Sequence, residues 1–322
     1  MPERVLITGA TGFVGSHIAE AFVRAGYEVR CGVRASSDTR WISPLPIEHV
    51  PLYLDRQEGP TRALEDVEVV VHAAGITRAR QPDDYHSVNA GGTARLARAA
   101  AEAGVRRFVL IGSLAARGPD ATSIDGQDHP TSAYGRSKLE AEAYLRALEA
   151  GQMETVVLRP AAVYGPRDGD MLPLFKMARS GWLVLPPVPG LLQPVYAADL
   201  ARVALVAADD GYPGFGPFPI AETARYTWRD VIAGLEQALG RSIRAIRPPA
   251  ALFRLTGRAA EMAARVVGSV PAFDERRALD LAFHTWTCDP SRTEKALKLR
   301  AEVPLYEGLE RTVRWYREAK WL

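Results

Sequence analysis

Only two cysteines, Cys31 and Cys288, occur in 322 residues. That is too few for a disulfide framework, and it fits a reducing compartment. A strong net charge is missing as well: 40 basic side chains stand against 38 acidic ones, for a formal charge of +2. Nothing in that balance would gather nucleic acid. No apolar stretch approaches the roughly 20 residues that a membrane span requires. The first strand-like run begins within four residues of Met1, leaving no room for a cleavable signal, so a cytoplasmic protein is expected. Internal repeats and low-complexity tracts are absent. Lysine is scarce, only five residues against a majority of arginine, which makes each lysine more informative. The remainder is ordinary for a globular chain, 47% hydrophobic and 24% charged. The length suits one large α/β unit with a smaller lobe.

What is present begins at the N-terminus. Val5 to Ile7 is a short β-branched and aliphatic run that reads as a buried parallel strand. Glycines follow at 9, 12 and 15, and Ser16 to Ala25 carries helical spacing up to Gly26. Strand, glycine turn and helix together form a seat for a dinucleotide pyrophosphate: Gly9 permits the turn, Gly12 lets backbone approach the phosphates, and Gly15 allows close helix–strand packing. The second strand, Tyr27 to Val33, ends at Arg34 with Ser36 and Ser37 just beyond. A guanidinium and two hydroxyls suit a 2′-phosphate and no acid stands there to repel one, so NADP is expected before NAD.

The alternation continues. His49 to Asp55 reads as a third strand with Asp55 near the adenine edge, and Val67 to Gly75 as a fourth ending in His72 and small residues. His72 reads as hydrogen-bonded structure. The segments 92–103, 107–113, 132–150 and 155–160 follow as helix, strand, helix and strand. The expected fold is a doubly wound parallel (Rossmann) sheet over residues 1–165, with 195–210 returning to it and 166–322 mainly a smaller substrate-binding lobe. Two Pro- and Gly-rich segments, 186–190 and 211–219, alternate with helices in that lobe, which covers the carboxyl ends of the strands and returns some segments to the main sheet. The stretch 251–267 is a basic amphipathic helix, with Arg254, Arg258 and Arg265 roughly on one face and Leu252, Leu255, Ala259, Met262 and Val266 on another. It reads as a lid over the pocket, with a peripheral membrane role as the alternative.

The chemistry centres on Tyr134 and Lys138, four apart on one helix face. A neighbouring ammonium favours the phenolate, so this tyrosine can exchange a proton with a carbonyl or alcohol oxygen. Ser113, at the end of the fifth strand, would orient that oxygen as a donor, and Asn89 would link Lys138 to water. The same spacing recurs at Tyr316 and Lys320, but no strand-end serine precedes it, and it reads as the outer face of a terminal helix.

With these residues the chain resembles the extended short-chain dehydrogenase/reductase family. Further matches are His72-Ala73-Ala74, Asn89-Ala90-Gly91-Gly92-Thr93, Leu158-Arg159-Pro160, Tyr164-Gly165-Pro166 and Tyr196-Ala197-Ala198-Asp199-Leu200. The resemblance implies a cofactor lobe with a carboxyl-terminal substrate lobe, a small-molecule substrate, and a homodimer made through the helix bearing Tyr134 and its neighbour. It implies cofactor contacts from Gly9, Thr11, Gly12, Phe13, Val14, Gly15, Arg34, Leu54, Asp55, Ala73, Ala74 and Pro160, besides Tyr134 and Lys138. The departures narrow the activity. Leu114 and Ala115 follow Ser113 where sugar dehydratases of the family carry Asp-Glu, and a decarboxylating glutamate is missing too. Ala161-Ala162 replaces the asparagine usual in nucleotide-sugar members, and Leu192-Gln193 replaces their Arg-Asp. An apolar lining does not satisfy a sugar diphosphate. The stretch 29–34 is similar to dihydroflavonol reductases and hydroxysteroid-dehydrogenase-like members. The expected activity is NADP-dependent interconversion of a carbonyl and a secondary alcohol on a largely apolar substrate. A nucleotide-sugar epimerase with tightly bound NAD is the alternative, and a non-catalytic NADP-binding regulator is the third reading.

Overall fold

The computed structural model describes residues 3–54, 61–119, 127–148, 153–188, 190–212, 214–266 and 285–322. Its centre is a parallel sheet built from β1 (Arg4–Thr8), β2 (Glu28–Val33), β3 (Glu48–Pro51), β4 (Val69–His72), β5 (Arg107–Ile111) and β6 (Glu154–Pro160). Helices α1 (Phe13–Arg24), α2 (Pro82–Tyr85), α3 (Gly92–Glu102) and α4 (Ala133–Leu148) connect them. Two short strands, β7 (Val163–Tyr164) and β8 (Trp182–Val184), flank α5 (Leu172–Ser180). Strands β9 (Leu191–Leu192) and β10 (Val195–Tyr196) lead into α6 (Ala197–Ala207), followed by β11 (Phe215–Ile220). The chain then runs through β12 (Tyr226–Thr227), α7 (Trp228–Leu239), β13 (Arg244–Ile246) and α8 (Ala250–Val266), and ends in α9 (Ser291–Leu297) and α10 (Leu305–Glu318).

The spatial order of the sheet is β11-β6-β5-β4-β1-β2-β3. The order reverses between β1 and β4, and a ligand crevice opens beyond the carboxyl ends of strands at such a switch point. Helices cover both faces, which explains why β1 reads as an unbroken apolar run. Val5 and Ile7 point to the layer formed by α1 and α6, where Ile18, Phe22, Leu200 and Ala204 are buried. Leu6 points to the opposite layer, with Leu96 and Ala97 of α3 and Leu145 of α4. A third core, including Phe175, Leu183, Leu235, Leu309 and Tyr316, gathers α5, β8, α7 and α10.

Three readings from sequence are corrected. The Pro- and Gly-rich segment 211–219, assigned to the smaller lobe with only 195–210 returning to the sheet domain, supplies most of β11, a seventh strand parallel to β6. It lies at the edge of the sheet, where prolines such as Pro217 and Pro219 cost no ladder bond on the open side. Helix α8 forms as expected, but its apolar stripe is not packed as a lid: Leu252, Leu255 and Met262 are 52%, 54% and 67% exposed. Tyr316 is not on an outer face. It is fully buried, and its hydroxyl donates to the Asp168 carbonyl at 2.6 Å, while Lys320 lies past the end of α10.

Candidate active site

The turn after β1 is built around positions that a side chain could not occupy. Gly9 has φ +72°, and a Cβ on it would lie 2.6 Å from the Ala74 nitrogen. A Cβ on Gly15 would lie 2.1 Å from the Gly9 carbonyl oxygen. The Gly12 amide donates to that same oxygen at 2.9 Å. Gly12 is also the N-cap of α1 and supplies no side-chain acceptor. The first-turn amides of α1, on the segment carrying Phe13 and Val14 beside Thr11, therefore remain for an anion. Ala73 and Ala74, at the end of β4, close the other side of the turn: their amides donate to the Thr8 carbonyl and to Thr8 Oγ1, each at 3.2 Å. The geometry fits a dinucleotide pyrophosphate.

Arg34 follows β2 on the neighbouring side of this turn and is exposed. Its loop is closed by Ser37, whose Oγ accepts from the Arg34 amide at 3.1 Å. The Leu54 side chain packs over Gly92, and its carbonyl accepts from Arg95 Nε. Asp55 lies outside the described residues. Pro160 is buried at the carboxyl end of β6, where it pairs in register with Ile220.

His72 is committed to structure. Its Nδ1 lies 2.6 Å from Thr8 Oγ1 and its Nε2 3.0 Å from Thr93 Oγ1. Thr93 spends its own proton on the Asn89 carbonyl at 2.6 Å. Counting donors puts the ring proton on Nε2. Burial, helped by the Lys138 charge, pushes the imidazole down to about 3, so the ring stays neutral. This chain ties β1, β4 and the segment bearing Asn89 into one rigid unit.

Around it the polar residues gather. Asn89 sits in a π-helical turn, 86–91, a distortion frequent at functional sites. Its Oδ1 accepts from the Ile76 amide at 2.8 Å, and its Nδ2 donates to the Ile76 carbonyl and to Ser137 Oγ at 3.1 and 3.0 Å. Ser137 Oγ in turn donates to the Tyr134 carbonyl at 2.8 Å. Lys138 Nζ is buried and donates to the Ile111 carbonyl at 3.1 Å. A Cβ on Gly75 would lie 2.9 Å from Asn89 Oδ1 and 3.4 Å from Lys138 Nζ, so both side chains border one small gap. Lys138 Nζ is 6.0 Å from the Tyr134 ring centre, and the Tyr85 ring meets Tyr134 edge-on. Burial pushes the Lys138 ammonium down to about 8, opposed by the charge of Glu142.

Ser113 caps the short turn 114–116, its Oγ accepting from the Ala115 amide at 3.1 Å. That turn rests directly on α4, since a Cβ on Gly135 would meet the Ala115 carbonyl oxygen at 2.3 Å. The glycine next to Tyr134 thus lets the Ser113 turn approach the tyrosine. Tyr134, Lys138, Asn89 and Ser113 converge at the carboxyl ends of β4 and β5, whereas Arg34 stands apart on the far side of the glycine turn.

Sequence reasoning missed the ion cluster under Lys138. Arg159 is buried and donates to both oxygens of Asp128 at 2.8 Å, and to Glu142 Oε1 and Oε2 at 2.9 and 2.6 Å. Burial raises the Glu142 carboxyl, with Arg159 opposing. For Asp128 burial acts in the same direction, but its pairs with Arg159 and Arg117 outweigh it and hold the carboxyl low. The signal was available, because Glu142 follows Lys138 by four residues on the same helix face. Beside the polar cluster the lining turns apolar: Leu114, Ala221 and Cys288 are buried together, with Ala161 packed against them.

Comparison with known proteins agrees with this geometry. A family model described as the NAD dependent epimerase/dehydratase family matches residues 5–214. The ceramide reductase of Caulobacter vibrioides is 31% identical over 329 residues, spanning 99% of this chain and 96% of that protein. The UDP-glucose 4-epimerase of Vibrio cholerae is 33% identical over 181 residues, covering 52% of this chain and 53% of that protein. Among solved structures, the UDP-glucose 4-epimerase of Thermotoga maritima, determined with UDP-glucose, superposes with a TM-score of 0.79 at 21% identity, covering 98% of this chain and 99% of that one.

Proposed function

Because this chain belongs to the NAD dependent epimerase/dehydratase family of extended short-chain dehydrogenases/reductases, we propose that it interconverts a carbonyl and a secondary alcohol on a largely apolar substrate, with NADP as the preferred dinucleotide. The observation that carries the reading is the burial of Lys138 beside Tyr134, with Ser113 followed directly by the buried Leu114. A charged amine is costly in such a place, and packing alone does not call for one.

When bound, a nicotinamide dinucleotide supplies or accepts the hydride. The Tyr134 hydroxyl gives its proton to the carbonyl oxygen during reduction and takes it back from the alcohol during oxidation. Lys138, still largely charged at pH 7 with its ammonium near 8, favours the phenolate and is placed to meet the ribose. Ser113 accepts from the Ala115 amide, which leaves its own proton to donate to the substrate oxygen. Asn89 holds the backbone at Ile76 in place rather than touching the reacting atoms. Gly9, Gly12 and Gly15 seat the pyrophosphate, with Thr11, Phe13, Val14, Ala73, Ala74, Leu54 and Pro160 around the dinucleotide. Arg34 answers the 2′-phosphate.

The alanines at 161 and 162 favour a reductase over a nucleotide-sugar epimerase, since a sugar diphosphate needs donors that alanine does not offer. The full-length similarity to a ceramide reductase supports the same side. We expect a cytoplasmic homodimer formed through α3 and α4. The test is a panel of lipophilic ketones and alcohols followed by NADPH absorbance, with the Tyr134→Phe variant alongside. Turnover should fall by at least 1000-fold in that variant while NADPH affinity stays within threefold. Comparable turnover in the variant would end the proposal. Epimerisation of UDP-sugars with retained NAD and no net redox change would replace it.

A further inference from the structure

Exposed large apolar side chains are concentrated on β8, β13 and α8. Trp182 and Val184 of β8, Ile246 of β13, and Leu252, Leu255 and Met262 of α8 are 39% to 67% exposed, six of the eleven such residues among those described. Two of these elements are paired, and the third follows directly in the chain. Strands β8 and β13 pair Trp182 with Arg244 and Val184 with Ile246. Leu183 between them is buried in the core, so the paired neighbours project outward together. Helix α8 starts four residues after Ile246. Its inward side is Phe253 and Gly257, and its outward side carries 252, 255, 259 and 262 at helical spacing.

Charge accompanies this surface. Residues 241–266 hold six arginines against one acid, Glu261, in a chain whose total is nearly neutral. Arg241, Arg244, Arg247, Arg254 and Arg258 are exposed. The Arg244 guanidinium lies 5.5 Å over the Trp182 ring, and Arg247 donates to the Pro186 carbonyl at 3.2 Å.

The geometry points to a docking surface for an anionic phospholipid bilayer, formed by β8, β13 and α8. Aliphatic side chains flanked by arginine and one tryptophan match the boundary between headgroups and acyl chains, where arginine can bury its stem and leave its charge at the phosphates. A second copy fits poorly, because a two-fold interface would bring this basic surface against itself. A nucleic acid would meet mostly leucine, isoleucine, valine and methionine, Trp182 alone among the six offering a ring for a base to stack on. The inference stands without the redox reading, since vesicle binding is measured without turnover.

The test uses the full chain in sedimentation with vesicles of phosphatidylglycerol and phosphatidylcholine, against vesicles of phosphatidylcholine alone. Partition onto the anionic vesicles should be at least tenfold stronger. Each arginine near such a surface contributes about fivefold, so Arg254→Gln with Arg258→Gln should weaken binding by about 25-fold. Leu252→Glu, Leu255→Glu and Met262→Glu together should abolish it, with the thermal midpoint unchanged. Tyr144→Glu with Met177→Glu, exposed apolar residues elsewhere, should leave binding intact. Equal partition onto both vesicle types, failure to sediment, or binding retained by the triple variant would overturn the proposal. So would light scattering that shows a dimer lost in the triple variant with no vesicle affinity in either protein.

Discussion

Replacing Lys138 by Met should separate function from stability. The side chain is buried, and its ammonium is pushed from 10.5 down to about 8, chiefly by loss of solvent. At pH 7 the folded protein therefore carries a charge that destabilises it by about 3 kcal/mol relative to the unfolded chain. Methionine has a similar length and removes that cost. It also loses the hydrogen bond to the Ile111 carbonyl, worth about 1.5–3 kcal/mol for a charged donor. The two effects nearly cancel, so the variant should lie within about 1.5 kcal/mol of wild type at pH 7. Truncating an ordinary packed side chain costs about 2–5 kcal/mol instead.

The pH dependence gives an independent check. Because the folded value is the lower one, the unfolded chain binds more protons between pH 8 and 10.5, and wild-type stability must rise across that window. The cost is fully present below pH 8 and gone above 10.5. Urea melts of both proteins without dinucleotide, from pH 7 to 11, should show wild type gaining about 3 kcal/mol on the variant. Turnover with a ketone substrate should fall by at least 100-fold in the variant. A variant destabilised by more than about 3 kcal/mol at pH 7, or a difference that stays flat with pH, would show that Lys138 is held for packing, and the argument from its cost would fail.

Arg34→Asp should lower the NADP-to-NAD ratio of kcat/KM by at least tenfold; an unchanged ratio removes Arg34 from cofactor selection. Gly15→Ala puts a Cβ 2.1 Å from the Gly9 carbonyl oxygen, so it should cost about 1–3 kcal/mol and at least tenfold in dinucleotide affinity. Urea melts and fluorescence titration would read both, and wild-type affinity would refute the close-approach argument. Glu142→Gln leaves the buried Arg159 with Asp128 alone and removes the charge that supports the Lys138 ammonium. It should cost about 3 kcal/mol and move the alkaline limb of the pH–rate profile downward; a limb that does not move would separate Glu142 from Lys138.

The cofactor half was legible because its signals are local. A strand, three glycines and a helix follow one another within some twenty residues, and the backbone clash a side chain would cause at Gly15 is set by that same short segment, although the one at Gly9 comes from Ala73 and Ala74 after β4. Tyr134 and Lys138 were legible for a similar reason, being one helical turn apart. What escaped depended on partners distant in sequence. A return of the chain to the sheet was expected, but β11 was not identified as a strand because its prolines obscure the pattern, and only its place at the sheet edge makes them tolerable. The burial of Tyr316 depends on Asp168, 148 residues away.

Glu142 lies between these cases and shows where local reading stops. Its spacing from Lys138 puts the two on one helix face, but spacing alone does not say whether a carboxylate there is solvated or buried. The answer comes from Arg159 on β6 and Asp128 before α4, which reach it only once the sheet is assembled. A helix whose inward face carries Lys138 and Glu142 violates the apolar pattern expected of a buried face. Such violations mark positions where packing has been subordinated to chemistry. The exposed stripe of α8 is the opposite violation, an apolar pattern turned away from the core. Its periodicity predicted the helix correctly and the packed face wrongly, because a moment reports that one side is apolar without saying what that side meets. One departure buries charge beside Tyr134, and the other exposes leucine where arginines gather. Each therefore has to be tested by function, since neither is what the packing of the chain alone would select.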